Sequence, residues 1–90
     1  MTTAEFIKIG KEMLQNPTSV EKPYLSIARR LLEEAEEIES NKRKRLSYGT
    51  TFMILDSVLL SRQQSTFWSA YDLWRAANPQ LDSRRMDTDD

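Results

Sequence analysis

Apolar residues recur at three- and four-residue steps along most of the chain, the period of an α-helix rather than a strand. The first such stretch holds Phe6, Ile9, Gly10, Met13 and Leu14. Thr2 and Glu5 stand three apart in front of it, which predicts a reciprocal capping box at the helix start. Asn16-Pro17 predicts its end, because the residue before proline is pushed out of the helical region.

A linker over 17–22 separates this helix from the next, and Pro23 suits a first helical position. Tyr24, Ile27, Ala28, Leu31, Ala35 and Ile38 then form an apolar stripe. Arg29, Arg30, Glu33, Glu34, Glu36 and Glu37 fall on the opposite side, giving the cleanest amphipathic pattern in the sequence. Two ends are open to this second helix. One is a turn at Ser40-Asn41; the other carries the helix through Lys42–Arg45 to a turn at Ser47–Thr51. Propensity favours the second, since Lys and Arg are good helix formers. Four cations also complement the negative end of a helix dipole, and Gly49 can supply a left-handed closing residue.

The third helix is expected from about Thr51 to Ala77, ended by Asn78-Pro79. Leu46, Met53, Leu60, Phe67 and Trp74 form one seven-residue row, and Phe52, Leu59, Thr66 and Leu73 form another. The rows lie on different sides, so the helix is apolar over a broad surface. Ser61–Ser65 is a polar interval where it can break, with Ser61 and Gln64 as a second capping box. These elements predict an all-α fold: a long antiparallel helical hairpin with a short N-terminal helix packed on it. There are three helices, or four if the last breaks near 61–66. Residues 1–79 form a single helical domain, and residues 80–90 a disordered polar tail.

Composition narrows the chemistry. The 90 residues contain no Cys and no His, which removes disulfides, Cys/His metal sites and Ser-His or Cys-His catalysis. Thirteen Lys+Arg oppose 14 Asp+Glu, a net charge of -1 that argues against generic nucleic-acid binding. Two glycines allow no phosphate-cradling loop, and no cofactor is expected. The apolar runs are too short for a membrane span and the N-terminus lacks a secretory pattern, so a cytoplasmic protein with no membrane partner is expected.

Four candidate features remain. Phe67, Trp68, Tyr71 and Trp74 sit within eight residues. Core packing accounts for Phe67 and Trp74, while Trp68 or Tyr71 is a candidate for a partner or oligomer interface. Lys42, Arg43, Lys44 and Arg45 form a basic run that could contact nucleic acid or an acidic partner, or simply end a helix. Glu33, Glu34 and Glu37 have the spacing of a magnesium-binding element. Such an element needs a second carboxylate pair on a facing helix, and Met53 and Ser69 occupy the positions where it would lie. Asp56, if buried, needs a partner such as Arg29, Arg30 or Arg62.

By elimination the sequence points to a non-enzymatic interaction protein: a small adaptor, regulator or inhibitor of a larger protein or complex, expected to form a homodimer or higher oligomer. The alternatives are a nucleic-acid-binding regulator using 42–45, and a helical oligomer that encloses a small anionic ligand.

Overall fold

Thr2 opens the first helix by the expected reciprocal cap. Its hydroxyl accepts from the Glu5 N–H at 3.1 Å, and the Glu5 carboxylate accepts from the Thr2 N–H at 2.7 Å. Helix α1 (Thr3–Gln15) follows and closes at Asn16. A 3-10 turn at Lys22–Tyr24, which contains Pro23, leads into α2 (Leu25–Glu39). Then come α3 (Tyr48–Ser57), a second 3-10 turn at Ser61–Gln63, α4 (Thr66–Ala77) and a last 3-10 turn at Pro79–Leu81. This is a computed structural model, and it describes residues 1–58 and 61–82. The fold is all-α, and the described residues contain no strand.

The connectivity departs from a long hairpin in two places. First, α2 stops at Glu39. Asn41 takes a left-handed φ of 65°, and its N–H donates to the Ile38 carbonyl at 3.1 Å. The Lys42 N–H reaches back to the Glu37 carbonyl at 2.8 Å. These two bonds make a Schellman motif, which satisfies the terminal carbonyls and turns the chain out of the helix. Asparagine tolerates that conformation better than other non-glycine residues. The closing residue is therefore Asn41 rather than Gly49, which lies inside α3. Lys42–Arg45 consequently lie between helices rather than within one.

Second, the helix expected over 51–77 is two helices, with the break at the polar interval. The cap that restarts it is Ser65 rather than Ser61: the Ser65 hydroxyl accepts from the Trp68 N–H at 3.1 Å. With two short helices in place of one long one, the architecture is the four-helix arrangement.

Helix α1 is also more than a cover. It packs against both α2 and α4, and its Phe6 is fully buried. The close approach of α1 to α2 depends on Gly10. A Cβ at that position would stand 2.4 Å from Leu32 Cδ2, well inside van der Waals contact. Ala28, Leu31, Leu32 and Ala35 bring α2 into the core, joined by Leu46, Ile54, Val58 and Leu81.

Leu81 corrects the expected tail. Its side chain is buried, and its carbonyl accepts from the Leu46 N–H at 3.0 Å. Asp82 is buried beside it and pairs with Arg75. Residues 80–82 thus belong to the folded domain, while 83–90 of the expected tail lie outside the described residues.

Candidate interaction surface

The aromatic quartet of α4 lies inside the molecule. Phe67, Trp68, Tyr71 and Trp74 are each at most 1% exposed. Phe6 of α1 packs against Phe67, Tyr71 and Trp74. It stacks on Trp74 with centroids 4.4 Å apart and an interplanar angle of 8°, and on Phe67 at 5.3 Å. Trp68 meets Phe67 and Tyr71 edge-on, at 4.7 and 6.0 Å. These are the preferred geometries for ring quadrupoles. Trp74 Nε1–H donates to Thr3 Oγ1 at 3.0 Å, and the Tyr71 hydroxyl accepts from Arg75 Nη1 at 2.7 Å. Burial pushes the Tyr71 hydroxyl above its ordinary pKa, against the pull of the neighbouring Arg75 guanidinium. The expected interface at Trp68 and Tyr71 is therefore corrected: all four rings are enclosed within the folded chain, with Phe6 of α1 against Phe67, Tyr71 and Trp74. Trp68 Nε1 and Thr51 Oγ1 are buried with no hydrogen-bond partner among the described residues.

The basic run does not form one continuous face. Lys42 and Lys44 are exposed, whereas Arg43 and Arg45 are half-buried. Arg43 Nε donates to Glu37 Oε1 at 2.9 Å. The acidic run is likewise divided. Glu36 pairs with Lys11 at 3.0 Å, Glu37 takes Arg43, and Glu34 turns inward. Asp56 is exposed, and Arg62, one of its candidate partners, pairs with Asp72 at 3.0 Å.

Glu34 has a role the sequence pattern concealed by setting it on the polar side of α2. Its carboxylate accepts from the Ser47 N–H and hydroxyl, each at 2.8 Å, and from the Thr50 hydroxyl at 2.7 Å. Ser47 is the N-cap of α3, its hydroxyl accepting from the Thr50 N–H. A negative charge here also complements the positive end of the α3 dipole. Glu21 does the same for α4. It is buried, accepts from the Ser65 hydroxyl at 2.5 Å, and accepts from the Thr18 N–H and hydroxyl at 2.9 and 3.1 Å. Burial pushes the Glu21 carboxyl upward. Hydrogen bonds from Ser65, Thr18 and the Phe67 backbone outweigh it and hold the carboxyl below its ordinary range. Both buried glutamates thus fix the serine that starts another helix.

The Glu34 clasp fixes which side of α3 faces out. Thr50, Thr51, Ile54 and Val58 are buried. At 100° per residue, the opposite side carries Tyr48, Phe52 and Asp56, with Gly49 beside them. Tyr48 and Phe52 are 58% and 55% exposed, and their rings stack at 6.1 Å. Met53 and Leu55 flank them, half-buried. Arg30 of α2 reaches this face, its Nη2 lying 3.7 Å from where a Gly49 Cβ would stand. The sequence signal was present: α3 is apolar around most of its circumference, so one packed side leaves another uncovered.

A second exposed apolar region follows the seam of α1 and α4. Leu73, 60% exposed, projects beside a shallow depression of about 930 Å³ lined by Ile9, Ala76, Ala77 and the α1 charges Glu5, Lys8 and Glu12. No helix of the described residues is long and apolar enough to cross a membrane. Comparison with known proteins gives no match to any family model, curated protein or solved structure.

Proposed function

We propose that the chain is a non-enzymatic protein-interaction module, a small adaptor or regulator that contacts another polypeptide through the outer face of α3. The observation that carries this reading is the stacked, exposed Tyr48–Phe52 pair on a helix whose opposite side is locked into the core. Exposed aromatic side chains withdraw much apolar surface from water and lose little conformational entropy when covered, which is why they anchor interfaces. The fate of the buried carboxylates supports a non-catalytic role. Glu21 and Glu34 are consumed in capping hydrogen bonds, and the chain has no histidine to share proton transfer.

The test is a photo-cross-linking amino acid at position 52, compared with the same group at the exposed Ser26 of α2. After illumination in the native cell, position 52 is expected to give discrete polypeptide adducts that position 26 does not. No adduct at 52, or the same adducts from both positions, refutes the reading.

A further inference from the structure

Resting on that reading, we propose that the polypeptide covering α3 is a second copy of this chain, the two α3 helices crossing antiparallel about a two-fold axis near Phe52.

The face is self-complementary in charge and apolar at its centre. Tyr48 and Asp56 lie four residues before and after Phe52, so at the α-helical rise each is about 6 Å from it along the axis. The end near Tyr48 carries the Arg30 guanidinium, whose side chain is 54% exposed and lies against Gly49. Its ion pair with Glu34 is a long one, Arg30 Nε lying 3.9 Å from Glu34 Oε2. The other end carries the exposed carboxylate of Asp56. Antiparallel pairing about Phe52 sets each Arg30 and Tyr48 hydroxyl opposite the Asp56 of the other copy, twice. A parallel pairing would instead set Asp56 against Asp56.

The centre of the contact is apolar: the two Phe52 rings, flanked by Tyr48 and by Leu55 and Met53. Gly49, lacking a side chain, leaves room beside Tyr48 for the Arg30 guanidinium to lie against α3. Such a contact is isologous and closes at two copies, leaving no open end for further growth. One ten-residue helix per copy places it at the small end of specific interfaces, so the dimer is reversible and concentration-dependent.

Sedimentation equilibrium of the full chain at moderate salt, from low micromolar to millimolar concentration, tests this directly. The wild type is expected to pass from monomer to dimer. Phe52→Ser is expected to raise the dimer Kd about tenfold or more, as for loss of a central aromatic anchor. Arg30→Glu and Asp56→Arg each place like charges across both symmetric contacts, so each is expected to be monomeric alone. Mixed in equal amounts they are expected to dimerise, because every contact in the mixed pair then joins opposite charges. Circular dichroism and thermal melting check that each variant is folded. If Arg30→Glu unfolds through repulsion by Glu34, Arg30→Gln with Asp56→Arg replaces the mixture, and weakening by both variants is the expected result.

A wild type that stays monomeric throughout overturns the proposal. So does a dimer unaffected by Phe52→Ser, or a charge-swapped mixture no heavier than its components. The two readings fail separately. A monomeric wild type that still cross-links from position 52 to a different protein removes the dimer and keeps α3 as a contact face. Absence of both removes both.

Discussion

Phe6 is the residue on which the packing of α1 against α2 and α4 depends most. Its ring is fully buried between Trp74 and Phe67. Phe6→Ala removes the only aromatic residue that α1 contributes and leaves a cavity lined by large, stiff rings that relax poorly. Truncation of a core phenylalanine costs about 3–5 kcal/mol, and stacking loss adds toward the upper end. A domain of this size has roughly 5–13 kcal/mol of total stability, so the change removes a large fraction of it. At roughly 4–8 °C per kcal/mol, the melting temperature should fall by at least ~12 °C. Urea unfolding followed by tryptophan fluorescence reports this directly, because Trp74 contacts the altered site. The midpoint should drop with little change in slope. Phe52→Ala is the matched control, the same substitution at an exposed position. At concentrations where the chain is monomeric, it should stay within about 0.5 kcal/mol of wild type. If the two phenylalanine truncations cost the same, the core assignment of α1 is wrong.

Three further results are expected. Glu34→Ala should destabilise by about 3 kcal/mol, because the Ser47 and Thr50 donors lose a buried charged acceptor, and hydrogen exchange should accelerate most in α3. Glu21 carries a depressed folded pKa, so its contribution is complete above the unfolded value of 4.5 and lost as pH falls through the folded value. Glu21→Gln should therefore lower stability at neutral pH and flatten the acid limb of a stability-against-pH curve; an unchanged limb would falsify the clasp as drawn. At Asn41, substitution by Gly should raise the melting temperature slightly, while Val should cost about 1–2 kcal/mol, since the left-handed φ penalises a β-branched side chain.

Helix starts and stops with a local cause were legible in the sequence. The Thr2–Glu5 cap, the Asn16-Pro17 end and the break around 61–65 all follow from neighbouring residues. The end of α2 was legible too, but propensity weighed against it. Lys42–Arg45 are good helix formers, yet one asparagine able to adopt a left-handed φ redirects the chain before propensity acts. What could not be read depends on distant residues. The burial of Tyr71 involves the distant Phe6, and the inward turn of Glu34 involves Ser47 and Thr50. Likewise, no property of Tyr48 or Phe52 alone says which side of an all-round apolar helix will face out. That choice is made when Glu34 takes hold of Ser47.

The stack of Phe6 on Trp74 also bears on the order of events during synthesis. Helix α1 is made before the rings that stack on its Phe6, which arrive some 60 to 70 residues later, roughly 3–14 s at ordinary elongation rates. Until then Phe6 has neither of its stacking partners, and α1 alone is near the length at which isolated helices are marginal. The core around Phe6 therefore closes late, once α4 is made. Truncation anywhere before Trp74 should leave a collapsed, protease-sensitive chain rather than a smaller version of the same domain.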